Sequence, residues 1–201
     1  MGVKVHLKQS IVICTLVGDG MVGKTSLARI LMKKMLPEKY VATVFDNFTG
    51  SQWVAGDKHT VSMFDTTGQQ EYEELRAFTY KESVVIVVCY SVVDRESFFS
   101  VREYWLPEIQ KHIGGENKKP IILVATQTDL RNKNGCDIDK PVSTSEGEQL
   151  AKDIGAEEFI ECSVVNKEGV SEVLENAIIC VIRQRKRKLN IFKKIFRKLV
   201  E

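Results

Sequence analysis

The chain has 201 residues, 43% hydrophobic and 28% charged, which supports one globular core and is too apolar for a disordered segment. Of 29 basic and 27 acidic residues, nine basic and one acidic fall in residues 183–201, net +8; the 20 basic and 26 acidic residues left give the remainder a net charge of −6. An acidic body with a basic end excludes a nucleic-acid-binding domain and points to an anionic partner for the end alone.

The five cysteines (Cys14, Cys89, Cys136, Cys162 and Cys180) form no pair with zinc spacing, and Cys14, Cys89 and Cys162 lie in apolar runs, as buried thiols of a cytosolic protein do. The start has no apolar signal stretch, and no run approaches the roughly 20 apolar residues of a membrane span. Gly2 follows Met1, but His6 stands where a myristoylation signal needs Ser or Thr.

In chain order, "IVICTLV" (11–17) predicts a strand and "KTSLARILMKKM" an amphipathic helix. "FDNFTGSQWVAGDKHTVSMF" predicts a hairpin turning through "AGDK", its second arm ending in "TVSMF" (60–64). "VVIVVCY" (84–90), "IILVAT" (121–126) and "EFIECS" (158–163) are near-continuous apolar runs, as in strands covered on both faces. Between them "ESFFSVREYWLPEIQKHI" and "STSEGEQLAKDIG" have helical spacing. The second starts with Ser and Thr ahead of Glu146 and stops at Gly155. "EGVSEVLENAIICVIRQR" predicts a last helix, and residues 131–142 a polar surface excursion. The alternation implies an α/β domain over residues 1–182 with a mostly parallel six-stranded sheet, one antiparallel edge strand and about five helices, followed by a tail at 183–201.

"GDGMVGKT" (18–25) joins the first strand to the first helix and fits G-x-x-x-x-G-K-[ST] in the context that pattern requires. Gly18, Asp19, Gly20, Met21, Val22 and Gly23 would wrap backbone N–H groups around a β-phosphate, with Lys24, Thr25 and Ser26 opening the helix. Lys24 would reach the β- and γ-phosphates, and the Thr25 hydroxyl would bind Mg²⁺. A glycine-rich strand–helix turn that binds nothing is the alternative.

"TQTDL" (Thr126, Gln127, Thr128, Asp129, Leu130) ends a strand where ligands bind in open α/β sheets. A carboxylate there accepts from N1–H and N2–H₂ of guanine, and adenine offers neither, so Asp129 is the base reader if guanine is preferred. Ser163 and the backbone N–H of Val164 would donate to guanine O6. In "FDTTGQQ" (64–70) Asp65 suits a water-mediated Mg²⁺ contact, Gly68 a close approach to a γ-phosphate, and Gln69 the orientation of an attacking water.

These segments, together with "EKYVATVFDNF", "YSVVDRESFFSVREYWLPEI" and "ECSVVNKEGV", resemble a small GTPase of the Rho family, over residues of about 11–182 and in family order. The resemblance implies a P-loop NTPase fold of the G-domain type, GTP and GDP with Mg²⁺ as ligands, and a catalytic set for hydrolysis made of Gln69, Lys24 and Thr43. Thr43 would ligate Mg²⁺ and sense the γ-phosphate, and Tyr40 would close over the nucleotide. Residues 40–48 and 69–80 would form an effector surface through Val44, Phe45, Asp46, Tyr72, Leu75 and Phe78; from the residues alone, these apolar groups read as ordinary core. Effectors, GTPase-activating proteins and exchange factors are the implied partners of a monomer.

Four positions depart from the family. Leu36 stands where relatives have an aromatic against the guanine, which predicts faster exchange. Thr67 replaces the usual Ala, placing a hydroxyl where it would hinder the second switch or displace the attacking water; with Gln69 and Gly20 retained, competent but slow hydrolysis is expected. Gln70 replaces an acidic residue, and the excursion after Asp129 is shorter than the Rho insert.

Relatives end in a prenylated cysteine box; here the sequence reads "KLVE". Helical spacing puts Leu189, Phe192, Ile195, Phe196, Leu199 and Val200 on one face and Lys193, Lys194, Arg197 and Lys198 on the other. That pattern predicts peripheral attachment to the anionic cytoplasmic face of a membrane. A calmodulin-type target helix, an import signal ("RKRK") and an extension of the last helix remain as alternatives. Two functions fit: a switch that hydrolyses GTP, or a fast-exchanging, mostly GTP-loaded scaffold on a membrane. A P-loop kinase or ATPase would need an acceptor site or adenine pocket, and neither is legible.

Overall fold

A computed structural model describes residues 11–36, 42–115, 118–131 and 140–200, with side chains as far as 190. Six strands form one sheet: β1 (Val12–Val17), β2 (Phe45–Val54), β3 (Asp57–Thr66), β4 (Val85–Ser91), β5 (Ile121–Thr126) and β6 (Glu158–Glu161). Their spatial order is β2-β3-β1-β4-β5-β6. Every neighbouring pair is parallel except β2 and β3, which pair antiparallel from Phe45↔Thr66 to Val54↔Asp57. Ala55 and Gly56, both at positive φ (52° and 86°), close that hairpin as a two-residue turn.

The apolar runs are continuous because both sheet faces are covered. On β4, Val85, Val87 and Cys89 join one core, while Ile86, Val88 and Tyr90 join the other. Successive side chains on a strand point to opposite faces, so neither set can be polar. The first face takes Leu27 and Ala28 of α1 (Lys24–Leu31) and Val173, Leu174, Ala177, Ile178 and Val181 of α6 (Val170–Val200). The second takes Tyr80 of α2 (Glu73–Glu82) and Leu150, Ala151 and Ile154 of α5 (Thr144–Ile154). It also takes Val101, Trp105, Ile109 and Ile113 of the rod built from α3 (Arg95–Ser100) and α4 (Leu106–Ile113).

The rod is one predicted helix with a difference. Val101–Trp105, between α3 and α4, is a π turn, immediately ahead of Pro107. Proline has no N–H to return to the carbonyl four residues back, and a widened turn absorbs that loss. α6 runs 31 residues without interruption, so position 182/183 lies inside a helix. Cys14, Cys89, Cys162 and Cys180 are buried free thiols, and burial pushes Cys14 and Cys162 up to about 12 and Cys180 to about 11. Cys136 and most of the polar excursion lie outside the described residues.

The start and stop read for α5 are present in full. Ser143 accepts from the Glu146 N–H at 3.3 Å, and Glu146 accepts from the Ser143 N–H at 2.9 Å. Gly155 ends the helix at φ 66°. Arg95 and Ser143 hold the Glu146 carboxyl at about 2, against an ordinary 4.5. A depressed carboxyl stabilises the fold above its unfolded value, and that share is lost as pH falls from 4.5 towards 2. Ser143→Ala should cost about 1 kcal/mol in urea unfolding at neutral pH, and Glu146→Gln should flatten the stability profile within that acid window.

Candidate functional site

The site gathers at the carboxyl ends of β1, β3, β5 and β6. The chain moves outward from β1 to β3 in one direction and then to β4 in the other, and the loop after β1 sits at this reversal. Gly18 (φ 140°) begins the loop pressed onto β4: a Cβ there would stand 2.1 Å from the Cys89 carbonyl oxygen. Gly23, at φ 89°, caps α1 without any side-chain acceptor, so the first N–H groups of that helix face the loop with no capping side chain. Met21 adopts φ 62° and is exposed.

Residues of "TQTD" strap this loop in place. The Thr126 hydroxyl lies 2.6 Å from the Val22 carbonyl and 2.8 Å from that of Tyr90. Gln127, itself in the left-handed region at φ 59°, donates from Nε2 to the Met21 carbonyl at 3.1 Å and accepts from Ser91 Oγ at 2.5 Å. Asp129 accepts from Ser163 Oγ at 2.7 Å, and Asn166 N–H donates to the same hydroxyl at 3.0 Å. The single Ser163 proton is therefore directed at Asp129. Ser163 orients the carboxylate instead of offering its proton to a base, which leaves the Val164 backbone as the predicted O6 donor.

Lys24 is buried, with Nζ 2.8 Å from the Gly18 carbonyl and 2.7 Å from that of Asp19. Burial draws its pKa down, and Asp65 and Asp19 act against that. The Asp19 carboxylate itself turns away to accept from Trp105 Nε1 at 2.6 Å. Ser26 continues α1 behind Lys24 and Thr25.

Asp65, at the end of β3, is fully buried, and neither of its oxygens has a hydrogen-bond partner among the described residues. Burial raises its pKa, with the nearby Thr25 hydroxyl and Lys24 pulling the other way. An orphaned buried carboxylate is costly unless a cation meets it. The Thr25 and Thr43 hydroxyls stand 2.9 Å apart. An octahedral Mg²⁺ with bonds of about 2.1 Å spaces adjacent ligands by about 3 Å, so the pair fits one edge of its shell. Among the described residues no cluster of three His, Cys, Asp or Glu forms; the Thr25, Thr43 and Asp65 oxygens, together with those of a phosphate, would make an all-oxygen donor set. This set suits Mg²⁺, a hard cation.

The segment after β3 bears on the loop directly. A Cβ on Gly68 would stand 2.4 Å from the Gly20 nitrogen. Thr67 donates from its N–H to the Val44 carbonyl at 3.1 Å, joining this segment to the approach to β2. Thr67 is buried, and its hydroxyl accepts from the Gln69 N–H at 3.2 Å. Val44, Phe45, Tyr72 and Phe78 are exposed, Leu75 and Asp46 half-buried. The Phe45 ring sits 5.5 Å from that of Phe64. Leu36 is 41% exposed, and Tyr40 lies outside the described residues.

One cluster was not read from the sequence. Arg76 of α2 is completely buried and donates from Nε to Glu108 Oε1 at 2.8 Å and from Nη2 to Oε2 at 2.7 Å. It also donates to the carbonyls of Thr67 at 3.3 Å and Gln69 at 2.5 Å, and to Tyr104 at 2.9 Å. The Tyr80 and Tyr104 hydroxyls donate to Glu108 at 2.6 and 2.7 Å. Burial alone would raise the Glu108 carboxyl, and the bonds from Arg76 and the two tyrosines outweigh it and hold it low. Trp105 lies under the guanidinium, 5.1 Å from ring centroid to Cζ, so one indole touches both Arg76 and Asp19. The available signal was Glu108 on the apolar face of a predicted helix; the segment that carries Arg76 was read as effector surface and not as a helix.

The family model described as Ras family matches residues 13–183.

Glu108→Ala would leave the Arg76 charge buried without its counter-ion. Chemical unfolding should show a loss of about 3 kcal/mol or more, far beyond what breaking a surface ion pair such as Lys111–Glu73 would show.

Proposed function

The chain belongs to the Ras family, and from that premise we propose a Rho-like GTP/GDP switch that engages effectors when GTP-loaded and hydrolyses GTP. Ras-family proteins are small GTPases that bind GTP and GDP and work with effectors, activating proteins and exchange factors. The Rho-like part of the reading rests on "YVATVFDNF", "TQTDLR" and "ECSVVNKEGV".

The observation that carries the reading is the orphaned Asp65 carboxylate beside the Thr25–Thr43 hydroxyl pair. Thr43 stands on the approach to β2, Asp65 at the end of β3, and Thr25 at the start of α1. When bound, Mg²⁺ neutralises charge on the β- and γ-phosphate oxygens. Lys24, held by the Gly18 and Asp19 carbonyls, presents its ammonium to the same phosphates. Gly68, being bare backbone against Gly20, brings its N–H within reach of a γ-phosphate. Gln69, with its side chain exposed at the rim, orients a water for in-line attack. An arginine from an activating partner would add positive charge in the transition state. Loss of the phosphate removes the common tie of Thr43 and Gly68, and the exposed Val44, Phe45, Tyr72 and Phe78 then lose their shared arrangement.

Asp129, oriented by Ser163, gives guanine a bidentate acceptor. Calorimetry with Mg²⁺ should show GTP and GDP binding about a thousandfold or more tighter than ATP, because adenine offers that carboxylate neither of the two N–H donors that guanine brings. Equal affinities for ATP and GTP would overturn the proposal.

A second reading, a fast-exchanging GTP-loaded scaffold, is favoured by Leu36. Its aliphatic side chain gives the base no aromatic face. Leu36→Phe should slow release of fluorescent GDP about three- to tenfold. Single-turnover hydrolysis separates the readings: a GTP lifetime much longer than the exchange time supports the scaffold.

For the basic end we propose peripheral binding to an anionic cytoplasmic membrane surface. Two observations support it. Helical backbone continues to Val200, and Leu189 is 56% exposed at the start of the apolar face. No helix among the described residues is long and apolar enough to cross a membrane. Replacing Lys193, Lys194, Arg197 and Lys198 with Gln should weaken binding to phosphatidylserine vesicles by roughly a thousandfold, at about 1 kcal/mol per charge. Undiminished binding would discard this role.

A further inference from the structure

Gln69 is held by both of its peptide groups. Its N–H donates to the Thr67 hydroxyl at 3.2 Å, and its carbonyl accepts from Arg76 Nη1 at 2.5 Å. The same Nη1 reaches the Thr67 carbonyl at 3.3 Å. Thr67 is thus fixed at three points: N–H to Val44, carbonyl to Arg76, hydroxyl to Gln69. Between these two residues Gly68 lies against the phosphate loop, with no room for a Cβ. Gln69 is nonetheless an exposed residue.

We propose that Thr67 and Arg76 are positioning residues that fix the Gln69 backbone at the mouth of the phosphate loop, leaving only its side-chain torsions to be set when water and phosphate arrive. The inference rests on the GTP-hydrolysis reading. It also changes the expectation for Thr67. Its hydroxyl is engaged with the Gln69 amide, two residues ahead, in the local pattern that Ser and Thr favour in turns. It is therefore an aid to orientation and not an obstacle to the water. Arg76 can serve because Glu108 and Tyr104 hold the guanidinium, and Tyr80 in turn donates to Glu108. A backbone fixed in advance reduces the freedom lost on reaching the reactive arrangement. Its effect falls on the rate of hydrolysis and not on nucleotide affinity.

Thr67→Val keeps the branched shape and removes the acceptor; Thr67→Ser keeps the hydroxyl. Thr67→Val should slow single-turnover hydrolysis of preloaded GTP about three- to tenfold, the worth of one hydrogen bond. Nucleotide affinity should stay the same, and Thr67→Ser should recover most of the rate. In the GDP complex, NMR-detected hydrogen exchange at the Gln69 amide should speed up by a similar factor in Thr67→Val and much less in Thr67→Ser. An unchanged or faster rate in Thr67→Val, a Ser variant as slow as Val, or an unaltered Gln69 amide would each overturn the proposal. If the unaltered protein turns over no GTP, the hydrolysis reading fails separately, and the amide-exchange arm still decides whether Thr67 holds Gln69.

Discussion

The contact between Gly68 and the loop at Gly18–Gly20 sets what the rest of the molecule must do. A Cβ at Gly68 would come within 2.4 Å of the Gly20 nitrogen, 2.5 Å of the Asp19 carbonyl carbon and 2.8 Å of the Gly18 oxygen. Backbone meets backbone at this point, and nothing in either segment can adjust by rotating a side chain. Position must come from outside: from β4, which the loop presses upon at Gly18, and from α2 and α4, which take the chain as it leaves Gly68. Trp105 links these supports, its N–H on Asp19 and its ring on Arg76. A shift of the segment at Gly68 therefore acts on Arg76 and on the phosphate loop together. A packed core transmits such a shift instead of absorbing it.

Two buried charge arrangements flank this contact, and they are built on opposite principles. Arg76 and Glu108 are satisfied from every side, by each other, by two tyrosine hydroxyls and by backbone carbonyls. Such a pair repays its desolvation only when its geometry is this complete, and its return is a fixed local structure. Asp65 is equally buried and has no donor on either oxygen among the described residues. Lys24 supplies positive charge nearby. A completed pair is architecture, whereas an incomplete carboxylate beside two hydroxyls is a site prepared for a cation. Comparing how the two are satisfied separates scaffold from function more sharply than burial does.

Much of this was legible in the sequence, for definable reasons. Near-continuous apolar runs, the phosphate-loop spacing, the Ser143–Glu146 start and the Gly155 stop are local signals whose structural consequence lies within a few residues. Asp65 was legible because it follows a strand in a motif. Arg76–Glu108 was not, since its partners are 32 residues apart and each alone resembles a charge straying onto an apolar face. The bond from Ser163 to Asp129 spans 34 residues and was hidden likewise. The π turn ahead of Pro107 was implied by a local residue, yet helical spacing on both sides concealed it. For Thr67 the chemistry was legible but the direction was not: a hydroxyl beside a phosphate site was evident, and only the fold turns it onto the next amide but one.

α6 brings the basic end into the same mechanical frame. Val173, Leu174, Ala177, Ile178 and Val181 bury one side of its first half against the sheet. Beyond them Arg183 pairs with Glu158 at 2.7 Å and Arg187 with Glu157 at 3.1 Å, while Gln184 donates to the Lys118 carbonyl at 3.1 Å. These contacts carry the helix's attachment about two turns past the core before it leaves the domain. Both ion pairs are partly exposed, so each is weak alone. Their importance is geometric, because they use two of the nine cations of the end to fix its exit beside β6. A surface that bound the remaining cations would meet a helix whose direction is already set relative to the sheet. A flexible linker would tether the nucleotide site at a distance and leave its orientation free. A continuous helix instead couples the orientation of the exposed apolar residues to that of the surface.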